Sequence, residues 1–175
     1  VFQLRVLARA DHGVPIDYDG GKKLFITLLF VNVKDSIHDC GPWVKRSVDG
    51  GRTWGELQPL PWEGYGGLAN DRALQLSSGR IVAPCWVSTD GLSSTRACCI
   101  WSDDSGRTWH RSALITTPEG STGRKTDPAA EEPMIVELQD GRLMMFMRTY
   151  LGSIFRSFSD DGGETWTEPE SSGIP

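Results

Sequence analysis

One eight-residue pattern, Ser-x-Asp-x-Gly-x-Thr-Trp, occurs three times in this chain of 175 residues. It reads SVDGGRTW at Ser47–Trp54, SDDSGRTW at Ser102–Trp109 and SDDGGETW at Ser159–Trp166. The copies start 55 and 57 residues apart (47 to 102, then 102 to 159). Identical positions recurring at nearly equal spacing mean several copies of one structural unit, not one irregular core. The residue types are those of a hairpin turn. Asp49, Asp104 and Asp161 can each accept hydrogen bonds from N–H groups across their own turn. Gly51, Gly106 and Gly163 supply the positive φ such a turn needs. Trp54, Trp109 and Trp166 return the chain to the core, where each can bury a large apolar area between neighbouring sheets. The Asp and Trp residues of the three boxes are therefore expected to be structural.

The residues before each box predict strands. In the third unit Met134–Leu138 is β-rich, Asp140-Gly141 makes a tight turn, and Arg142–Tyr150 and Ser153–Ser159 follow as strands. The second unit repeats this with Ala73–Leu76, a turn at Ser78-Gly79, Arg80–Val87 and Arg96–Ser102, then a short outer strand at Ser112–Ile115. The first unit shows Lys22–Val33 and Trp43–Ser47. No segment carries helical periodicity over three turns. The fold class is all-β. Each unit is a small antiparallel sheet of about four strands, the blade of a β-propeller, and residues 1–175 form a single partial propeller domain of about three blades.

Composition narrows the partners. The net charge is −5 and the basic residues are scattered, so no Lys/Arg run marks a nucleic-acid face. An anionic small ligand stays compatible with that charge, because a local Arg cluster can override a global balance. No run of ~18 apolar residues encodes a membrane span. The chain begins with Val1, so an upstream secretion signal stays open and the compartment unassigned. The cysteines Cys40, Cys85, Cys98 and Cys99 have no metal-ligand spacing. Adjacent Cys98 and Cys99 point to opposite faces of a strand, so free thiols are expected. Neither metal nor organic cofactor is implied.

The three boxes resemble the Asp-boxes, or BNR repeats, of the sialidase (neuraminidase) family. That resemblance implies a six-bladed ring. At ~55 residues per blade it would take roughly 330 residues, so this chain corresponds to about half. It would be a fragment, or a half-propeller completed by a second copy.

The resemblance is carried furthest by the segment from Glu131-Glu132-Pro133 to Arg148-Thr149. It is similar to the sialidase stretch in which a Glu begins one strand and an Arg ends the next, 16 residues on (132 to 148). In the family that Glu partners a nucleophilic Tyr, and that Arg belongs to a triad gripping the substrate carboxylate. Glu132 is thus the expected partner base and Arg148 the expected carboxylate ligand. The chemistry is coherent. A sialoside bears a carboxylate on its anomeric carbon, which a guanidinium binds through two parallel hydrogen bonds. A carboxylate nucleophile would repel it, so a neutral Tyr with a basic partner serves better.

Asn70, Asp71 and Arg72 align by their turn with the start of the next unit. That puts them near the same rim as further substrate-binding candidates. The general acid of the family is an Asp on a loop before an early box. Here that loop holds Asp35 and Asp39, of which Asp39 is preferred. The family's first triad Arg has no counterpart near Val14-Pro15-Ile16, and none of Tyr18, Tyr65 and Tyr150 matches the nucleophile. The expected activity is cleavage of terminal sialic acid from glycoconjugates, with a sialylated glycan as partner. The alternatives are a non-catalytic carbohydrate-binding propeller and a self-associating half-propeller.

Overall fold

A computed structural model describes residues 5–6, 16–18, 22–32, 40–68, 73–88, 94–118 and 129–175. They form three antiparallel sheets in chain order. The first contains β1 (Arg5–Val6), β2 (Ile16–Tyr18), β3 (Lys22–Asn32), β4 (Cys40–Ser47) and β5 (Gln58–Pro59). Its order is β1-β3-β4-β5, with β2 also paired to β3. The second contains β6 (Tyr65–Leu68), β7 (Leu74–Gln75), β8 (Ile81–Ser88), β9 (Arg96–Ser102) and β10 (His110–Arg111), in the order β10-β9-β8-β6 with β7 beside β8. The third runs β11 (Glu131–Glu137), β12 (Leu143–Arg148), β13 (Phe155–Ser159) and β14 (Glu170–Ser171) in sequence order.

The fold is therefore all-β, as expected, and each sheet corresponds to one blade of the expected propeller. Two details differ from the sequence reading. The innermost strand of the second blade is Tyr65–Leu68, whose two glycines hide it from a propensity argument. The outer strand of that blade is His110–Arg111, not Ser112–Ile115. Ser112 and Ile115 still bond to β9, through Ser112 N–H to Cys99 O and a single bridge between Ile115 and Ala97.

Alternation along the strands builds two seams. Ile81, Ala83, Cys85 and Val87 of β8 face the first blade, where they pack with Val44, Leu60 and Trp109. Val82, Ala97 and Cys99 face the third blade and pack with Ile135, Leu143, Met145 and Met147. Cys98 and Cys99 thus enter different seams, as adjacent strand residues must. Both thiols are free and buried, and burial holds their pKa high, Cys99 at about 12.

The boxes lock the seams. In each, the Ser hydroxyl donates to the Asp carboxylate and accepts from the N–H of the fifth residue, Gly51, Gly106 or Gly163, and the Thr N–H and hydroxyl donate back to the Asp. Trp109 and Trp166 each donate Nε1 to the carbonyl of Gly106 or Gly163, 3.2 Å away. Their rings lie against the first and second seams respectively, while Trp54 is half-buried. Gly163 has φ +97°, and a Cβ there would meet Cys99 Sγ at 3.0 Å, so the turn itself touches the preceding blade. Arg80 bolts the second seam. It pairs with Asp103 at 2.7 Å and Glu164 at 2.9 Å, stacks 4.0 Å over Trp101, and donates to the Asp161 and Gly162 carbonyls.

The box carboxyls link this fold to pH. Asp49 is held at about 2 by the Thr53 hydroxyl, the Thr53 N–H and Ser47. For Asp104 and Asp161, partial burial pushes the pKa up, but Thr, Ser and backbone donors outweigh it and hold both at about 2. Carboxyls depressed on folding stabilise the fold above their unfolded pKa of about 3.9 and lose that contribution as pH falls toward 2. Unfolding temperature should therefore be flat from about pH 7 to 5 and fall steeply between about pH 4 and 2. Asp104→Ala should cost about 2 kcal/mol or more at pH 7 by urea denaturation, with a shallower acid limb. An unchanged acid limb would refute the assignment.

Candidate functional site

The candidate site sits where β11 begins and β12 ends. Glu131 lies opposite Arg148 in the ladder, and regular pairing resumes only at Met134 opposite Phe146. The intervening residues form a bulge. Glu132 has φ +49°, a left-handed conformation rare for a residue with a side chain, costing roughly 1–2 kcal/mol. Pro133, which lacks an N–H, is buried beyond it.

The bulge brings two carboxylates to one cation. In a regular strand Glu131 and Glu132 would point to opposite faces. Here Arg148 Nε donates to Glu132 Oε2 at 2.7 Å, while Arg148 Nη2 bonds Glu131 Oε2. Tyr150 Oη donates to that same Glu131 oxygen at 3.4 Å, and Thr95 Oγ1 to Glu131 Oε1 at 3.2 Å. The Arg148 guanidinium lies 5.5 Å from the Tyr150 ring centroid. Partial burial works against the Arg148 charge, yet the Tyr150 hydroxyl and the two carboxylates raise its pKa further, so it is a permanent cation.

Glu132 and Arg148, the two residues singled out from sequence, are thus in direct contact. Glu131 is the more enclosed of the two carboxylates, its side chain 14% exposed against 46% for Glu132. Thr95 and Tyr150 join the cluster with no motif that marks them in the sequence. The available signal was two adjacent carboxylates ahead of a proline, where a strand is prone to start irregularly. Asp39, Asn70, Asp71 and Arg72 lie outside the described residues. Asp49, Trp54, Asp104, Trp109, Asp161 and Trp166 belong to the box turns. Among the described residues no three or more His, Cys, Asp or Glu side chains stand together as a metal-ligand set. Among the described residues no helix is long and apolar enough to cross a membrane.

Blades closed by Ser-x-Asp-x-Gly-x-Thr-Trp turns, with a Glu and an Arg meeting at one blade's rim, define an Asp-box β-propeller of sialidase type. Residues 10–175 match the BNR repeat-like domain family, and the chain belongs to it. Anhydrosialidase of Macrobdella decora is 34% identical over 94 residues, 54% of this chain and 11% of that protein. The crystal structure of the NanB sialidase from Streptococcus pneumoniae is 29% identical with a TM-score of 0.60, over 77% of this chain and 20% of that one. The Hadza microbial sialidase Hz136 shares the fold, with a TM-score of 0.65 at 21% identity over 88% of this chain and 32% of that one. The chain spans less than half the length of each of these relatives.

The geometry orders the two carboxylates energetically. Glu131→Gln breaks a more enclosed pair and unsettles Tyr150 and Thr95, so it should cost about 1–2 kcal/mol. Glu132→Gln removes a more exposed pair from a strained residue and should cost under about 1 kcal/mol. Urea unfolding of both variants reads the order, and the reverse order would refute the reading.

Proposed function

We propose that this chain carries part of the sugar-binding site of an exo-α-sialidase-like glycoside hydrolase acting on sialylated glycans. The observation that carries the reading is the contact between Glu132 and Arg148 at one rim of a propeller blade, in a chain similar to sialidases. A guanidinium has five N–H donors. Two of those on Arg148 hold Glu131 and Glu132. The Tyr150 hydroxyl bears on the same guanidinium, and beside it the outward edge of Nη1 and Nη2 is the proposed seat of a substrate carboxylate, held end-on through parallel bonds. The carboxylates fix the fork in advance, so little side-chain entropy is lost on binding. Glu132 is the proposed base for a nucleophilic Tyr, and Asp39 the proposed acid that protonates the leaving oxygen in a retaining reaction. Arg72, Asp71 and Asn70 are proposed neighbours of the bound sugar.

A second reading is a carbohydrate-binding propeller without turnover. It is favoured by one observation: the tyrosine in this cluster, Tyr150, bonds Glu131 and not Glu132. Hydrolysis of a fluorogenic sialoside and binding of free sialic acid separate the two. The hydrolase reading expects turnover that Glu132→Gln lowers by about 10²-fold or more, and weaker binding in Arg148→Ala. Binding without turnover selects the second reading. Neither binding nor turnover from a folded chain rejects both.

We also propose that the free face of the third blade is covered by a second copy of the chain. Met134 and Val136 alternate with buried Ile135 and stay 56% and 43% exposed on the face turned away from the second blade. Such a face favours association. Sedimentation equilibrium should find a dimer that Met134→Glu dissociates, and a monomer at high concentration would refute it.

A further inference from the structure

Among the described residues the first seam contains three buried donors with no acceptor: Arg46 Nη2, Trp62 Nε1 and Arg111 Nη1. A buried polar group without a partner is costly, more so when charged, so each such group calls for an explanation. All three open into the same seam. Arg46 lies two residues along β4 from Val44, so both are on the face turned to the second blade, and Arg46 Nε donates across to Ser105 O at 2.8 Å. Arg111 stands opposite Ile100 in register, and its charge acts on Cys85 and Cys98 of that core. Trp62 packs on the same core, with the Arg111 guanidinium 5.5 Å from its ring centroid.

The second seam shows what is missing. There Arg80 is neutralised by Asp103 and by Glu164, the sixth residue of the third box. The sixth residue of the second box is Arg107. The seam that needs an anion therefore carries an arginine where its counterpart carries a glutamate. Among the described residues neither Arg46 nor Arg111 has a carboxylate partner.

We propose that this seam binds a small inorganic anion, which accepts hydrogen bonds from Trp62 Nε1 and Arg111 Nη1 and lies within the field of Arg46. The anion does for the first seam what Glu164 does for the second, and it bridges the two blades. This site is independent of the Glu131–Arg148 cluster and of any activity there.

The test uses chloride as the probe. The chain is exchanged into sodium gluconate, then returned to chloride at constant ionic strength while unfolding is followed. Chloride should raise the unfolding temperature saturably, by about 5 °C once it exceeds its dissociation constant about a hundred-fold. Trp62→Phe, which keeps the ring and removes the N–H, should shrink that rise, and Arg111→Met should abolish it. Arg142→Met, at an exposed arginine on the third blade paired with Asp140, should leave it intact. Chlorine NMR line broadening of the unsubstituted chain reads binding even if a variant fails to fold. Equal unfolding temperatures in gluconate and chloride without line broadening, or a rise that both seam variants retain, would overturn the proposal.

Discussion

The carboxylate of each Asp-box is the constraint from which the rest of the structure follows. It takes hydrogen bonds from the Ser hydroxyl two residues before it and from the Thr N–H and hydroxyl four residues after it. That closes a turn which the Gly residues make sterically possible. In the second and third boxes the closed turn aims the following Trp, Trp109 or Trp166, at the preceding blade, where its ring packs into the seam. A local hydrogen-bond network thereby sets a long-range contact. Each repeat cannot bury both sheet faces alone, so stability accrues blade by blade through these seams.

The two seams solve the same packing problem with different electrostatics. Both bury apolar strand faces against each other, and both bring one arginine, Arg46 or Arg80, to the box of the following blade. In the second seam Arg80 finds Asp103, Glu164 and two carbonyls. In the first, among the described residues, the Arg46 side chain finds only the Ser105 carbonyl, and Arg111 lies beside an indole rather than an acid. A repeat protein can vary its polar seam residues in this way because the apolar faces and the box turns carry the register independently.

The candidate site obeys different physics from the seams. It forms where the ladder between β11 and β12 breaks, at a residue in a strained backbone conformation next to a proline. Irregularity of this kind commonly re-aims a side chain. Here it turns two consecutive carboxylates onto one guanidinium, an arrangement that a regular strand forbids.

Much of the fold was legible in the sequence. The three boxes announce themselves by spacing, and Met134–Leu138 and Arg96–Ser102 read as strands from their composition. The glycine-bearing strand Tyr65–Leu68 did not, because pairing with β8 and not intrinsic preference makes it a strand. The outer strand of the second blade was misplaced by a few residues for the same reason: at a blade edge, pairing decides. Of the site, the sequence by itself determined that a Glu and an Arg 16 residues apart flank one hairpin, since a tight turn at Asp140-Gly141 brings the ends of its strands together. Only the tertiary structure decided which carboxylate is the enclosed one. That choice rests on a backbone bulge and on Thr95, a residue of the neighbouring blade, and neither has a signature in the local residue pattern.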